Sequence, residues 1–136
     1  MRTIFADTGY WIALLNPRDE LHETAKKLSV SLSSAYLITS EMVLTEVLND
    51  FSKRGNYFRK AGVRLVEGLE LHPNITIISQ DRQRFKEGLE LYKNRSDKSW
   101  SLTDCVSFNI MKQFGITEAL AHDKHFEQAG FLALLR

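Results

Sequence analysis

At 136 residues, 43% hydrophobic and 26% charged, the chain has the size and balance of one globular domain, which excludes intrinsic disorder. Seven Gly, two Pro and one Cys exclude collagen-like and disulfide-stapled scaffolds. Lys+Arg 18 against Asp+Glu 17 leave a net charge of +1, so a surface for nucleic acid has to be a local patch rather than a property of the whole.

In chain order, Thr3–Ala6 reads as a strand that runs through Asp7-Thr8-Gly9 into a short helix, Tyr10 to Leu15, closed by Asn16-Pro17. Leu21, Ala25, Leu28 and Leu32 recur at helical steps, predicting a helix over 20–32. Tyr36–Thr39 is a second strand, and Ser40 caps a helix from Glu41 to Lys53. Gly55-Asn56 breaks the chain before a helix over 58–71. Ile75–Ile78 is a third strand, followed by an amphipathic helix over 81–93 with Phe85, Leu89 and Tyr92 on one face. Leu102 to Phe114 is apolar nearly all round and is expected to be a buried helix ending at Gly115. Glu118–Ala121 is a fourth strand, Lys124–Gln128 a short helix, and Phe131–Leu135 a fifth strand. Short apolar strands alternating with helices predict an α/β fold: a parallel sheet of four to five strands flanked by helices, as a single domain over 1–136.

In such sheets ligands bind at the carboxyl ends of the strands, which directs attention to four acids. Asp7 follows the first strand and Asp123 the fourth; each also suits a helix cap, although Thr8 is available to relieve Asp7 of that task. Glu46 falls on the flank of the stripe Val43, Leu44, Val47, Leu48 and Phe51, with Asn49 one turn on. Asp104 lies on the buried helix, where Ser101-Leu102-Thr103-Asp104 matches a capping box. Capping and metal binding are compatible, because a carboxylate has two oxygens. Crowded carboxylates either take up protons or bind a cation, and hard oxygen ligands select Mg²⁺ or Mn²⁺ over Zn²⁺. An ion held in this way meets phosphate oxygens readily, which makes phosphodiester hydrolysis the natural chemistry. Two other readings stay open at this level: a Mg²⁺-binding receiver phosphorylated on Asp, and a catalytically silent interaction protein.

Four segments, Ala6-Asp7-Thr8-Gly9-Tyr10-Trp11-Ile12-Ala13-Leu14, Thr45-Glu46-Val47-Leu48-Asn49, Trp100-Ser101-Leu102-Thr103-Asp104-Cys105-Val106-Ser107-Phe108 and Asp123-Lys124-His125-Phe126-Glu127-Gln128-Ala129-Gly130-Phe131, resemble the PIN domains of VapC-type toxins, in family order and nearly end to end. The resemblance implies a Rossmann-like sheet and a Mg²⁺- or Mn²⁺-dependent endoribonuclease of a type II toxin-antitoxin pair. It implies an acidic metal pocket of Asp7, Glu46, Asp104 and Asp123, an RNA substrate, a homodimer and a cognate antitoxin protein. The family often carries a hydroxyl two residues before the last acid; here that residue is Ala121.

The remaining candidates read as structural. His22, His72, His122 and His125 share no ligand spacing and are expected at the surface or in caps, and Trp11 and Trp100 are expected in the core. Lys53, Arg54, Arg59, Lys60 and Arg64 form a solvated basic face by default, and the best local offset to an acidic pocket acting on RNA, with Tyr57 and Phe58 available for stacking or for a dimer contact. The lone Cys105, the absence of a secretory pattern at the start, and the lack of any run near the ~18 apolar residues of a membrane span point to a cytoplasmic protein without membrane attachment.

Overall fold

The computed structural model describes residues 2–136. Five strands, β1 (Thr3–Ala6), β2 (Tyr36–Ser40), β3 (Ile75–Ile78), β4 (Glu118–Leu120) and β5 (Leu132–Ala133), form one parallel sheet in the order β3-β2-β1-β4-β5. Seven helices connect them: α1 (Thr8–Leu15), α2 (His22–Ser31), α3 (Glu41–Phe51), α4 (Asn56–Leu71), α5 (Arg82–Asn94), α6 (Leu102–Phe114) and α7 (Lys124–Gln128). The chain builds outward from β1 to β3, then returns to the other side of β1 to lay down β4 and β5. The strand order therefore reverses at β1 and β4, and the crevice beyond their carboxyl ends is where such a sheet places a ligand. Receiver domains belong to the flavodoxin-like order 2-1-3-4-5. The order here is different and removes that reading.

The helices start where capping side chains take up free backbone donors. Ser40 accepts from the Val43 N–H at 3.1 Å, Asp81 from Arg84 at 2.8 Å, and Ser101 from Asp104 at 3.0 Å. α6 ends at Gly115, whose φ of 66° closes the helix in the left-handed region. Ile4, Phe5 and Ala6 are fully buried in the central strand, and α6 buries nearly all of its surface, as its all-round apolarity predicts. No helix among the described residues is long and apolar enough to cross a membrane.

Several boundaries move for local reasons. α1 begins at Thr8 rather than Tyr10, α3 ends at Phe51, and β4 and β5 are shorter than their apolar runs. α2 starts at His22, because the Asp19 carboxylate takes the Leu21 N–H at 2.9 Å and closes a turn first. The helix read over 81–93 forms as α5, with its apolar face outward. Its Phe85, Leu89 and Tyr92 are 42, 48 and 52% exposed, and the helix packs on α6 through buried Gly88 instead. A Cβ added to Gly88 would lie 2.6 Å from Val106 Cγ2, a β-branched side chain fixed in its rotamer by the helix. Gly88→Ala is expected to cost about 1–3 kcal/mol in chemical denaturation, overriding the helix-propensity gain of about 1 kcal/mol. Gly62→Ala, which meets the movable end of Leu48 at 2.9 Å and the buried Phe51 ring at 3.3 Å, is expected to cost less than Gly88→Ala.

Candidate active site

Asp7 follows directly on β1, its backbone N–H donating to the Leu120 carbonyl of β4 at 3.1 Å. It occupies the cap position of α1, yet its side chain makes no capping bond. Thr8 does not cap either, against expectation: its hydroxyl donates to Glu46 Oε1 at 2.6 Å and ties α3 to the start of α1. Beneath Asp7 a buried relay fixes the strand ends. Trp11 Nε1 donates to Thr39 Oγ1 at 3.3 Å, and that hydroxyl donates to the Ala6 carbonyl at 2.8 Å. Trp11 and Trp100 are both core residues, as read from the sequence.

Asp104 enters from the first turn of α6. Its Oδ2 accepts the Ser101 N–H at 3.0 Å, completing the capping box, and faces His125 Nδ1 at 2.9 Å. Asp123 caps α7 through Oδ1 and the His125 N–H at 3.0 Å. In both residues one oxygen serves the backbone, while the other, Oδ1 of Asp104 or Oδ2 of Asp123, makes no hydrogen bond among the described residues. The capping role of each acid therefore leaves one oxygen available to a ligand.

Asp104, Asp123 and His125 each present a ligand atom within 4.8 Å of the others. Asp7, although outside that tight group, feels the charges of Asp104, Asp123 and Glu46. Burial first, and then these neighbours, push its carboxyl well above the ordinary range; only the Thr8 backbone N–H pulls the other way. Asp104 is raised too, by burial and then by Asp123, and is held back by the Ser101 N–H and His125. No Lys or Arg forms an ion pair with any of the four acids among the described residues. A set of hard oxygen donors, partly buried and without a Lys or Arg partner, fits a divalent cation.

His125 is the residue that sequence reading misplaced. Its imidazole sits between Asp104 and Asp123 rather than out at the surface, and its Nε2 faces Ser99 Oγ at 3.4 Å. The available signal was its place in the first turn of a helix capped by Asp123, two residues after that acid. The other three histidines hold backbone groups: His22 the Ala13 carbonyl at 2.7 Å, His72 the Asn74 N–H at 3.1 Å, and His122 the Leu135 carbonyl at 2.9 Å. Ala121 is fully buried and has no polar side chain to offer Asp123, whose orientation comes from its cap instead.

Acids following β1 and β4 and on α3 and α6, at the switch point of a parallel α/β sheet, are the arrangement of a nuclease domain. The chain belongs to the PIN-domain family, whose model matches residues 4–132, and within it to the VapC-type toxins. It is 31% identical over 129 residues to the 23S rRNA-specific endonuclease VapC20 of Mycobacterium tuberculosis, in strains CDC 1551 and H37Rv, with 95% of each chain covered. The crystal structure of M. tuberculosis VapC20, a Sarcin-Ricin loop cleaving toxin, superposes with a TM-score of 0.85 at 30% identity, covering 95% of this chain and 96% of that one. FitAcB from Neisseria gonorrhoeae, at 22% identity, has the same fold with a TM-score of 0.60 over 96 and 95% of the two chains.

Proposed function

We propose that this protein is a Mg²⁺- or Mn²⁺-dependent endoribonuclease, the toxin of a toxin-antitoxin pair, in which Asp7, Glu46, Asp104 and Asp123 form the metal and catalytic pocket. The observation that carries the reading is the convergence on Asp7 of three further carboxylates from separate elements, without a Lys or Arg partner. Asp7 and Asp104 supply buried carboxylates at the crevice floor, and Asp123 supplies its free oxygen at the rim. Glu46 faces them from α3, held by the Thr8 hydroxyl. His125 keeps Asp104 turned toward the pocket. When bound, the divalent ion lowers the pKa of water and offsets charge on phosphorus and on the leaving oxygen. In the hydrolysis a water oxygen adds to phosphorus, the P–O bond to the leaving oxygen breaks, and a proton ends on that oxygen. The open rim at Asp123 leaves room for the phosphodiester.

The relative's target makes 23S rRNA the first substrate to test. Purified protein is expected to cleave it with Mg²⁺ or Mn²⁺ and to stop with EDTA; cleavage that persists in EDTA overturns the assignment. Thr8→Val, which frees Glu46, is expected to lower cleavage about 10- to 100-fold in single-turnover assays without loss of folding, as for residues that orient ligands.

A homodimer is part of the same proposal, as are an antitoxin partner and a cytoplasmic setting. The exposed stripe Phe85, Leu89 and Tyr92 on α5 supports self-association, because three large apolar side chains at one helical face are left without intramolecular cover. Leu89→Asp is expected to convert a dimer to monomer in light scattering.

A further inference from the structure

We infer that the groove between α3 and α4 holds the RNA strand next to the scissile phosphate, with Arg59, Lys60 and Arg64 on its phosphates. The inference rests on the nuclease reading and adds to it a place for the substrate.

The groove has a volume of about 660 Å³, and no carboxylate lines it. Arg59, Lys60 and Arg64 stand on its α4 side, and Asn49, Ser52 and Asn56 run from the end of α3 to the first residue of α4. All six are exposed. A second hollow, of about 920 Å³, runs from Thr8 and Glu46 along α3 and shares Asn49 and Ser52 with the first. The two hollows meet at Asn49 and Ser52, and the second reaches Glu46.

Charge decides what fits the groove. In the second hollow Arg54 is spent on Asp50, at 2.8 and 3.4 Å, so it drops out of the basic face read from the sequence. Arg59, Lys60 and Arg64 form no ion pair among the described residues. On a chain of net charge +1, three unpartnered cations in one concave surface are an excess that a polyanion satisfies. The distance is suitable as well. From Glu46 to Ser52 the helix axis rises about 9 Å, comparable with the screening length of about 8–10 Å at physiological salt. The groove wall at Ser52 therefore lies within about one screening length of Glu46 along α3. The amides and hydroxyl of Asn49, Ser52 and Asn56 offer neutral donors and acceptors of the kind that engage 2′-hydroxyls and base edges. Tyr57, beside Asn56 and 69% exposed, adds a face on which a base can stack.

The test measures binding without cleavage. In the Asp7→Asn background, a fluorescent mixed-sequence oligoribonucleotide is titrated in the absence of divalent ions at 50 to 200 mM salt. Arg59→Gln/Lys60→Gln/Arg64→Gln is expected to weaken binding at least about tenfold, and to make the slope of log K against log salt shallower by about 2, since each single-strand phosphate contact contributes about 0.7. Lys26→Gln/Lys27→Gln on α2 is the control and is expected to change neither quantity, while Mn²⁺ binding in the Asp7 chain is expected to survive the triple substitution. Unchanged RNA affinity and slope in a folded triple variant overturns the inference and leaves the groove to an acidic protein partner. If the unmodified chain cleaves no RNA while the triple variant still loses RNA binding, the nuclease reading falls and the groove assignment stands.

Discussion

Asp7→Asn is expected to abolish RNA cleavage while raising the melting temperature of the metal-free protein. Asp7 is 7% exposed, sits among three other carboxylates, and has its proton affinity pushed up mainly by burial. A raised pKa in the folded state means that the fold favours the neutral form. Stability from this group is complete at low pH and is lost as pH rises through the raised value, above which the buried anion is costly. The amide is neutral at every pH and nearly the same shape. It is expected to gain on the order of 1–2 kcal/mol, or roughly 3–8 °C in a chain of this length. Cleavage is expected to fall by at least about a hundredfold, because the pocket loses a ligand for an ion whose charge stabilisation amounts to several kcal/mol. Thermal melts without metal and single-turnover assays with it check both halves. A variant that is less stable without metal, or still active with it, refutes the trade-off.

Cation binding is expected to release protons and to tighten with pH. Without the ion, the raised carboxyls of Asp7 and Asp104 retain protons into a range where an ordinary carboxyl has lost them. The ion requires the ionised forms, so each proton displaced makes the affinity about tenfold stronger per pH unit, up to the raised pKa and level beyond it. Millimolar Mg²⁺ or Mn²⁺ is therefore expected to raise the melting temperature more at pH 8 than at pH 5, whereas the metal-free protein shows the opposite trend from Asp7. Calorimetry in buffers of different ionisation enthalpy measures the released protons directly. Binding that is independent of both pH and buffer would show that the acids are already ionised and that their crowding is not what selects the cation.

Much of this architecture was legible in the chain because it depends on neighbours in sequence. The alternation of β-branched runs with helical periodicity sets strands and helices in order, and Ser40, Ser101 and Gly115 mark helix ends through bonds that span three or four residues. The four acids stood out because each lies at a strand end or on an apolar helix. The errors fell where partners are distant. Thr8 looked like a cap because a hydroxyl before a helix usually is one, but its bond goes 38 residues along the chain to Glu46. The α5 stripe was legible as one apolar face, but periodicity reports amphipathicity and not which side is covered. Gly88, small enough for α6 to approach closely, decided that side.

The sequence by itself determined the kind of sheet, the inventory of carboxylates and the hard-donor chemistry, since these follow from residue type and spacing. Tertiary structure alone decided that β4 lies beside β1, which brings Asp123 to Asp7; that His125 turns between two acids; and that Arg54 is spent on Asp50 while Arg59, Lys60 and Arg64 stay free. The physical reason is that proton affinity, ion pairing and convergence depend on distances of a few ångströms between residues remote in the chain, and those distances exist only once the sheet has closed around β1.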